Sequence, residues 1–385
     1  MSSHEHVFAV FDISSSSVAG AHVLSRTDTC PNALILTSVR IDAVVTDDIN
    51  IQRFITQANR SLEQVISTIR AQDVHKPSHI QISLASPWYS TETRIISYRS
   101  EKPFICTKKL VESLVDTEIA DIKKTDGPFG SYGKDSVIIE KQLSGIKLNG
   151  YLTHEPYDKK ATELECTLTV TIAPKTVLDL FSDTLRRSYG ARPIRFTTGA
   201  FTAFIVARDR LPIEESCMIV DVGEEVTDVA FVTAGMLAYQ HSFPVGTFGL
   251  YRALAKEGGD MVTESKALLE AYRINKVAPQ TKKRIERAIL AYSKEWQKGL
   301  QQVLETGHYG WRVPHQILLM VNERFETIMT SVLVKDPIIK HSCGAVEPRI
   351  TYIDESTLGT AIGTVSHEHI DIPIATTALF AQRLV

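Results

Sequence analysis

The chain has 385 residues, 43% hydrophobic and 23% charged, and its 42 Lys and Arg against 45 Asp and Glu leave a net charge of −3. That much apolar material builds sizeable cores across two to three domains and excludes a disordered chain, a collagen-like repeat and a small disulfide scaffold. The near balance of charge argues against a surface built for bulk nucleic-acid binding, so no nucleic-acid partner is expected.

No apolar run approaches the roughly 18–20 residues needed to span a bilayer. Met1–His6 is polar and has no cationic or apolar leader pattern, so no secretory signal is expected. The five cysteines, Cys30, Cys106, Cys166, Cys217 and Cys343, are scattered and form no CxxC pair. Thiols in a reducing cytoplasm fit that spacing better than disulfides or metal ligands.

In chain order, Val7–Ile13, Ala19–Leu24 and Leu34–Val44 read as three strands, punctuated by Ser14–Ser17 and the 27–32 stretch. Ile51, Phe54, Ala58, Leu62, Val65 and Ile69 recur at helical spacing, and His79–Leu84 is a short buried strand. The character changes after Ser86-Pro87. Thr91–Arg99 alternates as a strand, and Thr107 can cap a helix carrying Leu110 to Ile122. A polar loop runs from Lys124 to Asp135. Ser136–Leu143, Ile146–Leu148 and Leu164–Ile172 then read as strands. Pro174 opens a helix, Pro193–Thr197 is a strand, and Gly199–Asp209 is a helix.

From Cys217 the opening pattern returns. Cys217–Val222, Thr227–Val232 and Met236–Phe243 are strands, and Thr233–Gly235 is the tight turn between the last two. Thr263–Val277 and Thr281–Glu305 are helical, His315–Val321 is a buried strand, Arg324–Val334 a helix and Arg349–Ile353 a last strand. Leu358–Gly363 starts a helix or turn. Phe8–Asp12 and Met218–Asp221 are both buried strands ending in an aspartate, followed by a small or polar turn and a second strand. Their aspartates lie 209 residues apart, too far for a solenoid period. Two copies of one α/β lobe explain this.

A turn between two strands can aim backbone N–H groups at a phosphate. An aspartate at each strand end can hold Mg²⁺, which keeps several waters and uses few carboxylates. The cleft between such lobes would clamp a nucleotide. The competing reading makes Asp12 and Asp221 simple strand-end turn residues.

The arrangement resembles the actin-like ATPase superfamily, and within it the FtsA and PilM proteins of cell division and type IV pilus assembly. Phe8–Ile13 with Ser14, Ser15 and Ser16 matches the first phosphate loop. Asp221, Gly223, Thr227 and Asp228, followed by Thr233–Gly235 and Phe243–Gly246, match the second, and Leu358–Gly363 resembles a late small-residue helix start. The resemblance implies an α/β, two-lobed actin-like ATPase (ribonuclease H-like) fold with an inserted α+β subdomain. It divides the chain into a first lobe at 1–85 and 173–216, an inserted subdomain at 86–172, a second lobe at 217–365 and a tail at 366–385. It implies ATP and Mg²⁺ as cofactors, with Asp12 and Asp221 on the metal. Asp12, Ser14, Ser15, Ser16, Asp221, Gly223, Thr227, Asp228 and Gly359 would line the nucleotide, and Asp221 and Asp228 are the catalytic candidates.

Four loops depart from the pattern. Glu224 and Glu225 follow Gly223, where carboxylates would repel a triphosphate. Thr197–Gly199 lacks a carboxylate to orient water. Asn322–Phe325, at the adenosine position, lacks glycine, and so does the first loop. The expected function is therefore an FtsA/PilM-like scaffold with weak or absent ATP hydrolysis. The alternative is an active actin-fold ATPase or small-molecule kinase. Expected partners are proteins of a division or pilus machine and further copies of the chain in filaments. Location is cytoplasmic, with recruitment to the inner face of the membrane but no direct membrane contact. Pro373 and two threonines make the tail a poor amphipathic helix, so docking onto its own lobe is expected. His4–His6 and His367–His369 read as solvated ends rather than metal sites. Lys282–Arg287 reads as a solvated helix face. No GxSxG, Walker or GxGxxG pattern occurs.

Overall fold

The computed structural model describes residues 5–26, 31–42, 51–122, 135–259, 261–306, 313–343, 346–365 and 369–383. His4, Cys30, His367 and loop residues 124–134 lie outside them.

Strands β1 (Glu5–Ile13), β2 (Ser17–Arg26) and β3 (Ala33–Asp42) form an antiparallel meander. Helix α1 (Ile51–Gln72) then crosses over to β4 (Ile80–Leu84), which pairs parallel with β1. The strand β9 (Ile194–Thr198) adds beyond β4, and β15 (Ile362–Thr364) pairs parallel with β3, giving the order β15-β3-β2-β1-β4-β9. Phe8 to Phe11 and Ile13 have no exposed surface, because β1 is covered on both faces.

The second sheet repeats this wiring. Strands β10 (Cys217–Val222), β11 (Thr227–Thr233) and β12 (Met236–Phe243) form the meander, and β13 (Gln316–Val321) and β14 (Arg349–Tyr352) add in parallel, in the order β12-β11-β10-β13-β14. Asp12 lies opposite Ala19 on β2 and Ser83 on β4, and Asp221 lies opposite Asp228 on β11 and Met320 on β13. The two aspartates therefore hold the same register in matched sheets.

A third sheet, β5 (Ser90–Ile105), β8 (Lys160–Pro174), β6 (Ser136–Leu148) and β7 (Tyr151–Leu152), runs antiparallel in that order. Helix α2 (Lys108–Ile122) covers it, and Val111 and Val115 meet Leu164, Leu168 and Val170 in a separate core. Two runs read as separate strands, 136–143 and 146–148, are one strand carrying register shifts. This sheet also touches β12 of the second lobe.

Helices α3 (Lys175–Tyr189) and α4 (Gly199–Arg210) complete the first half. The second half carries α5 (Phe248–Gly258), α6 (Val262–Arg273), α7 (Pro279–Thr306), α8 (Glu326–Lys335) and α9 (Pro337–Cys343). The sequence reading missed α5 and α9, both short. Trp296 and Tyr292 of α7 are fully buried against the second sheet. The stretch read as a helix or turn at Leu358–Gly363 is α10 (Glu355–Leu358), a 3-10 turn and then β15. No described helix is long and apolar enough to cross a membrane.

The segment 366–385 is more than a tail. Its α11 (Ile372–Gln382) is almost wholly buried and packs on α4, β1, β2 and β4. Asp371 caps it by accepting from Ile374 N–H at 3.1 Å. Pro373 falls in the first turn, where its missing N–H costs nothing. Thr376 and Thr377 return their hydroxyls to the carbonyls of Ile372 and Pro373. The residues that read as helix breakers are thus placed where they do no harm. Helices α4 and α11 sit in one apolar core that draws Phe8 and Val10 from the first sheet and Ile219 and Leu318 from the second.

Candidate functional site

The β1–β2 and β10–β11 turns meet, and the two strand-ending aspartates lie close enough for Asp12 to add its charge to Asp221. The first turn is self-contained. Ser14 Oγ accepts from the backbone N–H of Ser17 at 2.9 Å and of Ser16 at 3.3 Å. Ser14 N–H donates to Ser17 O at 3.0 Å, and Trp88 Nε1 donates to Ser14 O at 2.9 Å. Ser14 to Ser17 are all buried. The N–H groups that a phosphate would use are therefore answered by a side chain of the same turn.

The second turn rests on α5. Thr247 N–H donates to Gly223 O at 2.9 Å and Phe248 N–H to Glu224 O at 2.8 Å. A Cβ on Gly246 would lie 2.4 Å from the Glu224 carbonyl, so only glycine lets the two backbones approach this closely. Gly246→Ala is expected to push the turn off α5 and cost about 1–3 kcal/mol by overpacking against backbone that cannot yield. Urea unfolding of the two proteins side by side measures it.

Two neighbouring glutamates in this turn point opposite ways. Glu225 is 3% exposed and takes a bidentate pair from Arg252 of α5, at 3.0 and 2.5 Å. Glu224 turns into the cleft, where its Oε2 accepts from Ser16 Oγ at 3.0 Å and lies 3.4 Å from Ser14 Oγ. A carboxylate from the second lobe is thus bonded to the β1–β2 turn of the first.

Asp12 is 5% exposed, and Arg40 of β3 donates to its Oδ2 at 2.9 Å. The same guanidinium reaches Asp371 Oδ2 at 2.5 Å and Oδ1 at 2.9 Å, and Ser17 Oγ at 2.5 Å. Burial pushes Asp12 up to about 6 despite the guanidinium beside it. Burial, with Asp228, Asp12 and Glu224 adding negative charge, pushes Asp221 well above the usual carboxylate range. Asp221 has no hydrogen-bond partner among the described residues. Among those residues no three His, Cys, Asp or Glu side chains converge to hold a metal ion. An Asp221 whose burial opposes its charged form and an Asp12 already paired with Arg40 are a poor donor set for Mg²⁺.

Asp228 faces the other end of the cleft. It accepts from Ser86 Oγ at 2.6 Å and also bonds Tyr89, and burial pushes it up to about 6. Gln240 Nε2 donates to Tyr89 Oη at 2.7 Å, so this end too is tied across the lobes. The β9–α4 junction Thr197–Gly199, which carries no acid of its own, receives one from the inserted sheet. Glu140 of β6 accepts from Thr197 Oγ1 at 2.5 Å, Thr198 N–H at 2.6 Å and Thr198 Oγ1 at 3.1 Å. Burial raises its carboxyl above the usual range.

Two further candidates lie elsewhere. Thr227 is fully buried and faces the second-lobe core: its hydroxyl donates to Val245 O at 2.7 Å and accepts from Trp296 Nε1 at 3.0 Å. Gly359 is exposed and ends α10 with φ 60°. Ser15 is buried within the first turn, and Gly223 N–H closes the second on Val226 O at 3.1 Å. In the stretch read as the adenosine loop, Phe325 is buried against Tyr251, ring centroids 5.6 Å apart, and Phe248 lies 5.8 Å from Tyr251.

Arg40, Asp371, Glu140, Ser86, Tyr89 and Arg252 escaped the sequence reading. Asp371 before Pro373 is a helix-start signature that could have been found. Nothing local to Arg40 or Glu140 announces partners 331 and 57 residues away.

No protein-family model matches the sequence, and no curated protein matches it. Among solved structures, a chain of a PilM–PilN type IV pilus biogenesis complex superposes with a TM-score of 0.63 at 10% identity, over 97% of this chain and 98% of that one. The chain has the two-lobed actin-like ATPase fold. A Bacteroides thetaiotaomicron protein with an actin-like ATPase fold and unknown function aligns more loosely, with a TM-score of 0.43 at 10% identity over 97% and 95% of the two chains. The ethanolamine utilization protein EutJ of Carboxydothermus hydrogenoformans gives 0.44 at 10% identity over 99% and 90%. In this chain the β1–β2 and β10–β11 turns are bonded to each other through Glu224.

Proposed function

We propose that the chain is an actin-fold assembly scaffold of the FtsA/PilM kind, one that recruits protein partners and hydrolyses ATP weakly or not at all. The observation that carries this is the Glu224 carboxylate seated on Ser16, in the space that a nucleotide phosphate needs. The edge-to-face contact of Tyr251 and Phe325 and the occupied N–H groups of the first turn support it. Shape supports the pilus side: the PilM–PilN chain aligns along nearly its whole length. Partners would meet the lobe surfaces and the inserted sheet, where Tyr151 is 78% exposed. Copies of the chain could meet along the same surfaces. Work would take place in the cytoplasm, with membrane recruitment through a partner.

Calorimetric titration with Mg-ATP, paired with a phosphate-release assay, tests the reading. No turnover and affinity weaker than about millimolar are expected. Micromolar binding with steady turnover would overturn the scaffold reading in favour of the ATPase or kinase.

A further inference from the structure

Two features beside the paired turns belong to one device. A carboxylate occupies the first turn, a guanidinium occupies the aspartate beside it, and both come from positions fixed by other contacts. Building on the scaffold reading, we infer that the cleft is latched shut by an internal counterpart of a metal-bound phosphate. Glu224 takes the place of the anion on Ser14 and Ser16, Arg40 takes the place of the cation on Asp12, and a phosphoryl group enters only by displacing Glu224.

The geometry assigns each part. Glu225 is clamped to Arg252, which fixes the turn so that the next residue back, Glu224, must face the first lobe. Ser16 Oγ supplies the shorter contact at 3.0 Å and Ser14 Oγ the longer at 3.4 Å. Ser14 has a single hydroxyl hydrogen, and Ser17 O at 3.1 Å competes for it, so Ser16 holds the latch.

Carboxylates gathered this closely would repel without a cation among them. Arg40 supplies it. The guanidinium is fixed by Asp12, Ser17 and Asp371, and it also feels the charge of Glu224. Because Asp371 is the N-cap of α11, the latch is anchored in the helix that packs at the centre of the core shared by both lobes. Removing Glu224 leaves this anchor in place and opens the one contact that joins the two turns.

The test uses the full chain, with inorganic pyrophosphate and Mg²⁺-free ATP as probes. Glu224→Ser removes the latch, and Glu224→Gln keeps its shape without its charge. Hydrogen exchange at residues 14–17 is expected to speed up at least tenfold in Glu224→Ser. Affinity for pyrophosphate is expected to rise at least tenfold over wild type, with Glu224→Gln between the two. ATP should gain by a similar factor, since the phosphoryl group is the shared element. Unchanged exchange at 14–17 together with unchanged pyrophosphate affinity would overturn the latch. So would a gain for ATP alone, which would place the barrier at the base. If Glu224→Ser fails to fold, Glu224→Gln carries the same readouts, and wild-type affinity and exchange there overturn the proposal. ATP turnover by the wild type would sink the scaffold reading through a separate assay, so the two failures are distinguishable.

Discussion

Arg40→Met is expected to lower the unfolding free energy by about 3–5 kcal/mol. The guanidinium bonds Asp12, Ser17 and Asp371 at once, and both carboxylates are largely buried, with side chains 7% and 18% exposed. Taking away one member of a buried ion cluster leaves the others charged and desolvated, which is the costly direction. Methionine preserves most of the apolar stem, so the loss reports charge and hydrogen bonding rather than volume. Arg40→Lys should recover only part of it, because a point charge cannot meet three acceptors in a planar fork. Asp371 also caps α11, so the Met variant should loosen that helix and expose Phe380 and Leu379 to proteolysis. Chemical denaturation and limited proteolysis measure the two effects. A loss below about 1 kcal/mol would mean that Arg40 is a surface pair and no part of the architecture.

The second large effect is a pH dependence of opposite sign to ordinary acid denaturation. Asp228 sits at about 6 in the folded protein, up from 3.8, because its burial outweighs the hydrogen bonds from Ser86 and Tyr89 and the nearby His241, all of which lower it. The folded state therefore binds this proton more tightly than the unfolded chain does. A raised carboxyl penalises folding in full above its folded pKa, and the penalty is relieved as pH falls from about 6 towards 4. Asp12 behaves alike. The buried His22 and the half-buried His6 and His79, which resist protonation, act in the other direction below about 6.5, so the wild-type profile alone is a sum of opposing parts. Comparison with Asp228→Asn isolates one group. Relative to that variant, wild type should gain about 2 kcal/mol between pH 7 and pH 4.5. Parallel urea titrations at the two pH values decide it, and a constant difference would show that Asp228 titrates normally.

The lobe repeat was legible because each β1-like strand is covered on both faces and must be a continuous apolar run, and because both runs end in aspartate. That is a local pattern with a local cause. The inserted sheet was legible for a different reason, the alternation of buried and exposed residues along strands with one face on the α2 core, up to strand ends and the bulge near Glu140. What escaped was set by distant packing. Thr227 is a hydroxyl in a phosphate-turn sequence, yet Trp296, arriving from α7, takes it into the core. The β9–α4 junction Thr197–Gly199 looked acid-free because its acid, Glu140, belongs to another sheet. The pair Glu224 and Glu225 read as two repulsive charges. Arg252 neutralises one and the first turn binds the other, and both partners are fixed by tertiary structure. The tail misled because proline and threonine are poor helix formers in a helix interior, while Asp371 made position 373 a helix start.

The most direct measurement is a crystal structure of the full chain grown with millimolar Mg²⁺ and a non-hydrolysable ATP analogue. The expected result is a cleft without nucleotide, Glu224 within hydrogen-bond distance of Ser16 Oγ, and Arg40 on Asp12. Phosphates resting on Ser14–Ser17, with Glu224 swung out and Mg²⁺ bridged by water to Asp12 and Asp221, would contradict the account.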